Sequence, residues 1–204
     1  MPVLIYDPEW ETRVRAERDA MYPNNRDEVW DGVYVMAPMP NIEHQDIVAM
    51  LNHVFMLTLD RGKGDRVHPG ANVSDRVAGW TQNYREPDVV VYLGTNPATD
   101  AGTHWVGGPD FGVEIASPGE DPTAKLGFYS AVNTRELLIV ERNPWSVELY
   151  RLTNGALVSV GRSDLTNAAV LTSGVLPLSF QLRAGTPRPT ILVAHTATAQ
   201  TWDV

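Results

Sequence analysis

Two carboxylates and a lysine lie at spacings that could hold a metal ion and prepare a water molecule for attack. Asp88 opens the apolar run 89–93, Glu114 lies inside the apolar run 111–116, and Lys125 follows on the next stretch. A hard cation such as Mg²⁺ takes oxygen ligands and keeps several waters, so two carboxylates and one backbone carbonyl suffice for the protein's share. An ionised carboxylate within an apolar run also needs a partner, solvent or a metal, because burying it bare is very costly.

The order of these residues resembles the PD-(D/E)XK nuclease superfamily, which has a Pro-Asp pair on one strand, an acid on a second strand and then a lysine. Within that superfamily the chain is similar to the Uma2 family of restriction-type endonucleases, from about residue 27 to about residue 182. The resemblance is carried by the stretches 28–38 (EVWDGVYVMAP), 43–45 (EHQ), 114–118 (EIASP) and 136–140 (ELLIV), and by Asp121, Lys125 and Tyr129.

The resemblance implies an α/β (α+β) fold, with a restriction-endonuclease-like mixed β-sheet flanked by helices. It also implies an Mg²⁺- or Mn²⁺-dependent endonuclease that hydrolyses phosphodiester bonds of nucleic acid, with DNA favoured over RNA. Asp88 and Glu114, with the backbone carbonyl of Ile115, would hold the metal, and Glu28 is a candidate third carboxylate. Lys125 would orient the attacking water or stabilise the charge that develops on the phosphoryl oxygens.

The lysine departs from the usual superfamily pattern. It ordinarily lies two residues after the second acid, on the same face of the strand, and here that position is Ala116. The Uma2 resemblance implies that Lys125 supplies the ammonium group from the following helix. Asp121 has the features of an N-cap with Pro122 at the first helical position, so a helix should begin about one turn before Lys125. Tyr129 lies four residues further on and shares its face.

Several of these residues have a structural interpretation that stays open. Asp88 could be a strand-end carboxylate that accepts from a backbone amide or pairs with an arginine such as Arg85. Glu28 could be a solvated strand residue. His44 and Gln45 fall in the first turn of a predicted helix, where they could contact substrate, and a hydrogen-bonded structural His44 is an equal alternative.

Composition limits the possible chemistry. The chain has 204 residues, a mass of 22.5 kDa, no cysteine and a net charge of −9. The lack of cysteine excludes disulfides and thiolate chemistry and fits a cytoplasmic protein. No apolar run approaches the roughly 18 residues of a membrane span, so we expect no membrane association. The negative charge argues against general nucleic-acid binding, but an acidic metal site would itself contribute to it.

The pattern along the chain predicts a helical extension (1–26), a nuclease domain (27–186) and a C-terminal tail (187–204). The tail shows little periodicity, which predicts a loose terminus or a partner arm. The predicted elements are a helix over 9–21 capped by Asp7, a hairpin around Asp31-Gly32, a helix from Asn41 to about Leu59, a strand over 66–74, a strand at 87–93, an irregular loop over 94–109, a helix over 122–132, a strand over 136–141, a hairpin of 146–152 with 156–161, and a last strand near 178–182.

Two other functions remain open from the sequence. The chain could be a non-catalytic binding or assembly module with the nuclease fold, or a metal-dependent hydrolase of another phosphoester. The geometry of Asp88, Glu114 and Lys125 bears on the first alternative, since the nuclease hypothesis requires their side chains to meet in one cleft. A homodimer is possible, because a two-fold axis presents one active site to each strand of a duplex. No serine-hydrolase elbow, Walker loop or dinucleotide fingerprint is present in the sequence.

Overall fold

The computed structural model describes residues 3–22, 25–117 and 119–204. This described part contains three α-helices, none long and apolar enough to cross a membrane, and seventeen short β-strands. The helices are α1 (Pro8–Met21), α2 (Ile42–Thr58) and α3 (Leu126–Ala131). The strands are β1 (Val3–Ile5), β2 (Glu28–Trp30), β3 (Val33–Met36), β4 (Arg66–Pro69), β5 (Val73–Ser74), β6 (Tyr84–Arg85), β7 (Val89–Tyr92), β8 (Thr99–Asp100), β9 (Trp105–Val106), β10 (Phe111–Ile115), β11 (Glu136–Arg142), β12 (Trp145–Thr153), β13 (Ala156–Asp164), β14 (Leu171–Thr172), β15 (Leu178–Arg183), β16 (Thr190–His195) and β17 (Thr201–Asp203).

These strands form three sheets of mixed and antiparallel pairing. The seven-stranded sheet has the order β1-β3-β2-β6-β5-β9-β8, the six-stranded sheet β13-β12-β11-β10-β7-β4, and the four-stranded sheet β14-β15-β16-β17. Parallel pairs join β10 to β11 and β5 to β9, and the other recorded pairs are antiparallel. The predicted mixed α+β class is therefore confirmed.

The six-stranded sheet is covered on both faces, which explains why its central strands are continuous apolar runs. Val89 and Val91 of β7 point toward α2 and the four-stranded sheet, whereas Val90 and Tyr92 belong to the cluster that includes residues of α3. On the α2 side, the ring of Phe111 lies 5.6 Å from Phe55 and 5.5 Å from Phe180. This period-two alternation fixes which side chains of each strand meet α3.

The helix-capping residues and the turn residues have the roles that the sequence predicts. Asp7 accepts from two backbone amides of the first turn of α1, and Asn41 accepts from the amide of His44 in α2. The turn residues Asp31 and Gly32 have φ values of +48° and +84°, as a type I′ hairpin requires. The predicted helices at 9–21 and 41–59 and the hairpins that turn at 31–32 and 154–155 are confirmed.

Three predicted elements require correction. The strand predicted over 66–74 is divided into β4 and β5, which belong to different sheets, because Gly70 between them adopts φ +60°. The loop predicted over 94–109 contains β8 and β9, which pair with each other, and β9 also pairs with β5 from an earlier part of the chain. The helix predicted over 122–132 begins as a 3₁₀ turn over 122–125, a common start for a helix.

The predicted loose tail is also wrong. Residues beyond 187 form β16 and β17, which extend the four-stranded sheet from β15. Ile191 and Val193 are buried in the main core, and the side chain of Val204 is only 2 % exposed. The alternation of Ile191 and Val193 with less buried neighbours is a strand signal that the Thr- and Ala-rich composition obscured. The division of the chain at residues 26 and 186 stays a prediction.

Because the C-terminal strands complete the core, a core deletion there should destabilise the whole protein. We expect Ile191→Ala to lower the free energy of unfolding by about 2–5 kcal/mol, through lost apolar contact and a residual cavity. Leu192→Ala, at a less buried position of the same strand, is the matched control and should cost clearly less. Urea unfolding measures both. If both variants lost the same small amount of unfolding free energy, the placement of β16 in the core would be contradicted.

Candidate active site

A narrow cavity lies where the seven-stranded sheet meets the start of α2 and the ends of β7 and β10. Its volume is about 50 Å³, which is room for an ion and a few waters but not for a nucleotide. Five carboxylates face three basic side chains in its lining, so the cavity should attract cations. The titratable residues that line it are Arg26, Glu28, His44, Glu86, Asp88, Glu114, Glu120 and Lys125.

The pairing of β7 with β10 brings the two predicted acids to one level of the sheet. Val89 pairs with Val113, so one step further along this register Asp88 lies opposite Glu114. The amide of Asp88 donates to the Val113 carbonyl at 2.9 Å, and Oδ2 of Asp88 accepts from the amide of Ile115 at 2.7 Å. The carboxyl group of Asp88 therefore lies against the residue that follows Glu114.

The second oxygen of Asp88 contacts two basic side chains. Nη1 of Arg26 donates to Oδ1 at 3.0 Å, and Nε2 of His44 lies 3.2 Å from the same atom. His44 is buried in the first turn of α2, and its Nδ1 has no hydrogen-bond partner within the part of the chain that the structure describes. Asp88 thus has the backbone-amide and arginine partners of its structural interpretation, but the arginine is Arg26 and not Arg85.

Lys125 is the cation at the centre of the cavity. Its Nζ donates to Oε2 of Glu114 at 2.9 Å and to Oε1 of Glu28 at 3.0 Å, and it lies 3.7 Å from Oε1 of Glu120. Burial would lower the pKa of Lys125, but the carboxylates of Glu114, Glu28 and Glu120 raise it well above its usual value. The side chain therefore carries a positive charge. Asp121 caps the 3₁₀ turn that ends at Lys125, as the sequence predicts.

Tyr129 and Lys125 hold one carboxylate between them. The hydroxyl of Tyr129 donates to Oε1 of Glu114, while Lys125 donates to Oε2. Burial raises the pKa of Glu114 to about 8, against the opposing effect of Lys125, and the carboxylates of Glu28 and Asp88 raise it further. Burial also raises the pKa of Tyr129 well above its usual value. The predicted shared face of Lys125 and Tyr129 is the one that contacts Glu114.

A stacked arginine supports the wall of the cavity. The guanidinium group of Arg85 lies between two rings, 4.6 Å from the ring centre of Trp30 and 4.3 Å from that of Phe128. The indole Nε1 of Trp30 donates to Oε2 of Glu28 at 2.6 Å. Because cation–π stacking restrains the indole, Arg85 indirectly orients the carboxylate of Glu28 toward Lys125.

The structure brings most of the predicted site residues together but not all of them. Gln45 is exposed on α2, and it is absent from the described residues that line the cavity. Pro118 of the matched stretch 114–118 lies outside the described residues. The predicted residues that line the cavity or contact its carboxylates are Glu28, His44, Asp88, Glu114, Ile115, Lys125 and Tyr129.

Sequence reasoning missed three charged residues of the cavity. Glu86 lies two residues before Asp88, and the period of a strand could have placed both on one face. Glu120 follows a turn whose geometry no local signal fixes. Arg26 precedes β2 and reaches Asp88 only through the packing of the two sheets, so no local pattern identifies it.

The donor set fits a hard divalent cation that takes two carboxylates from the protein and completes its shell with water at the mouth of the cavity. Within the described ranges, no three His, Cys, Asp or Glu side chains are grouped to enclose a metal ion. Asp88 and Glu114 nevertheless offer carboxylate oxygens at one level of the sheet, beside the backbone of Ile115. Two carboxylates are the share that Mg²⁺ commonly takes from a protein, so the site fits such an ion and not a fully protein-ligated one.

A mixed sheet with two acids and a lysine at one end places the chain in the class of restriction-endonuclease-like folds. The Uma2 family model, described as "Putative restriction endonuclease", matches residues 10–185, and the chain belongs to this family. Among solved structures, the chain is similar to a putative nuclease belonging to DUF820 from Anabaena variabilis ATCC 29413, with a TM-score of 0.57 and 17% identity over 72% of this chain and 80% of that one. No curated protein matches the chain. The predicted family and fold are confirmed.

The environment of Glu86 gives a pH-dependent stability. Burial raises its pKa to about 7, and the neighbouring Glu28 and Asp88 act in the same direction, against the effect of Arg26. The contribution of Glu86 to the free energy of unfolding is therefore fully present below its ordinary pKa of 4.5 and is lost as the pH rises through about 7.

We expect Glu86→Gln, which cannot ionise, to gain stability relative to the wild type by roughly 1–3 kcal/mol between about pH 4.5 and about pH 8. Urea unfolding over this pH range measures the difference. The exposed Glu17→Gln provides the control and should show little pH-dependent change. A Glu86→Gln difference that does not vary with pH would refute the raised pKa.

Proposed function

We propose that the chain is an Mg²⁺- or Mn²⁺-dependent endonuclease that hydrolyses phosphodiester bonds of DNA. One observation supports this most strongly: Lys125 contacts Glu114, and Asp88 contacts the next residue along that strand, inside one acidic cavity. Membership of a family described as "Putative restriction endonuclease" supports a nuclease, and it favours DNA over RNA because restriction endonucleases cleave DNA.

The proposed ligands are the carboxylates of Asp88 and Glu114 and the backbone carbonyl of Ile115. The bound cation would supply Lewis-acid chemistry, polarising a phosphoryl oxygen and lowering the pKa of water. We assign Glu28 to another task. Its Oε1 accepts from both Lys125 and the amide of Glu86, and its Oε2 accepts from Trp30, so Glu28 anchors Lys125. Each oxygen of Glu114 accepts a single described hydrogen bond, from Tyr129 or from Lys125, which leaves a lone pair on each for a metal.

Lys125 is positioned to stabilise negative charge that develops on the scissile phosphate. Its ammonium group is held by carboxylates before substrate arrives, so the reaction requires no reorganisation of this charge. Tyr129 fixes the orientation of Glu114, and His44 contacts Asp88. Because the cavity cannot enclose a nucleotide, the phosphate would enter its mouth while the sugars and bases lie outside.

The metal assignment can be tested by titrating Mn²⁺ into the protein in a calorimeter. We expect the wild type to bind, and Asp88→Ala and Glu114→Ala to lose binding and nicking of supercoiled plasmid together, because each removes a carboxylate ligand. Asp46→Asn, at an exposed position of α2, is the control and should behave like the wild type. Circular dichroism verifies folding.

The outcomes separate the alternative functions. Wild-type nicking in either alanine variant would refute the site. Mn²⁺ binding without cleavage of any nucleic acid would favour a hydrolase of another phosphoester. A wild type that neither binds Mn²⁺ nor cleaves would favour a non-catalytic module.

Lys125 should affect the reaction without acting as a metal ligand. We expect Lys125→Met to lower the rate of plasmid nicking by about 10²–10³-fold, the cost of removing one charge-stabilising donor, while Mn²⁺ binding is retained. The chain has one other lysine, the exposed Lys63, so Lys63→Met is a matched control and should cleave normally. Single-turnover nicking measures the rates. A folded Lys125→Met variant with full activity would exclude the proposed role.

A further inference from the structure

The carboxylate of Asp88 is already paired with a cation of the protein itself. Nη1 of Arg26 donates to Oδ1 of Asp88 at 3.0 Å, and Nε of Arg26 lies 3.5 Å from Oε1 of Glu86. The Arg26 side chain is one-quarter exposed, so it lies at the border between the cavity and solvent. The guanidinium group is therefore shared by two carboxylates, of which only Asp88 is a proposed metal ligand.

The residue after Arg26 is anchored by its side chain, which limits where the side chain of Arg26 can reach. The next residue, Asp27, is buried and accepts from Nη2 of Arg18 at 2.7 Å, from the hydroxyl of Tyr34, and from the amide of Ala37 at 2.8 Å. These contacts tie the segment to α1 and to the first hairpin. Arg26 can therefore exchange between nearby partners but cannot move far from the cavity.

Arg26 and Glu86 also pack closely against a bare stretch of backbone. A Cβ atom placed on Gly70 would lie 2.9 Å from Oε1 of Glu86 and 3.1 Å from Nη2 of Arg26. Any larger residue at this position would push both groups aside. The absence of a side chain here lets the two charged groups remain side by side at the edge of the cavity.

A divalent cation bound to Asp88 would lie close to the positively charged guanidinium group of Arg26, in a space that holds little water. The repulsion between two cations a few ångströms apart is strong there, and both require the same carboxylate. Glu86 offers the guanidinium group a second carboxylate without a change in the backbone. On the basis of the proposed function, we propose that Arg26 is a counter-ion that competes with the metal for Asp88. When the metal binds, the guanidinium group of Arg26 transfers to Glu86.

The competition predicts opposite effects of two substitutions on metal affinity. In calorimetric Mn²⁺ titrations at about pH 8, we expect Arg26→Gln to bind about tenfold more tightly than the wild type, because the competing cation is gone. Glu86→Gln should bind about fivefold more weakly, because Arg26 loses its alternative partner and stays on Asp88. Arg13→Gln, which removes an exposed arginine of α1, should leave the affinity unchanged.

The double variant Arg26→Gln/Glu86→Gln distinguishes transfer from direct metal binding by Glu86. With Arg26 absent, the loss caused by Glu86→Gln should shrink to less than about twofold, since the two residues act through each other. An equal loss in both backgrounds would show that Glu86 acts on the metal directly and would overturn the transfer. Arg26→Met, which keeps part of the aliphatic stem, replaces Arg26→Gln if the glutamine variant does not fold.

The same titrations separate this inference from the proposed function. If the wild type binds Mn²⁺, Asp88→Ala abolishes binding and Arg26→Gln binds no more tightly, the counter-ion role is refuted while the metal site stands. If neither the wild type nor any Arg26 variant binds Mn²⁺, both are refuted. Binding that emerges only when Arg26 is removed would support the competition directly.

Discussion

The candidate active site depends on one buried ammonium group, that of Lys125. Its side chain is only 7% exposed, and it contacts carboxylates that are themselves buried. Isolated charges of either sign would be strongly disfavoured in such a place, so each requires the other. Removing one member of a buried ion pair commonly costs about 3–5 kcal/mol, because the remaining charge loses its partner. The candidate catalytic residues are thus also residues on which the local fold depends.

The carboxylates around Lys125 come from different layers of the molecule. Glu28 belongs to the seven-stranded sheet, Glu114 to the centre of the six-stranded sheet, and Tyr129 on α3 completes the contacts of Glu114. Apolar packing holds α2 and the four-stranded sheet to the opposite face, but the junction at the cavity is polar. Val73 and Trp105 of the seven-stranded sheet pack on Val90 and Tyr92 of the six-stranded sheet, and at the cavity the more directional hydrogen bonds and charges fix the orientation of the site side chains.

The sequence predicts those parts of this arrangement that are determined locally. The caps Asp7, Asn41 and Asp121 and the turn at 31–32 are encoded within a few residues, and all of them are present. The resemblance to a known family identified Asp88, Glu114 and Lys125 together as candidate site residues.

What could not be predicted depends on packing between distant segments. Arg26 and Asp88 are 62 positions apart, and nothing in either local stretch specifies their contact. The C-terminal strands were hidden for a different reason, since Thr and Ala dilute the apolar alternation although both fit an exposed strand face. Gln45 shows the converse limit: proximity to His44 in sequence placed it in the candidate set, but adjacent helix positions point about 100° apart, and only His44 is buried.

The charges of the cavity affect the binding of substrate, the binding of metal and the position of Arg26. A chain of net charge −9 with five carboxylates in its cavity repels a phosphodiester backbone, so under the proposed function substrate cannot approach the reacting position until a cation offsets that charge. Metal and substrate should consequently bind with positive coupling, each reducing the electrostatic cost of the other. In the absence of both, the same carboxylates still require compensation, and Lys125 and Arg26 supply it. Lys125 is enclosed by its partners, whereas Arg26 lies at the solvent border with a second carboxylate in reach, so under the proposed competition Arg26 is the charge that would move on metal binding.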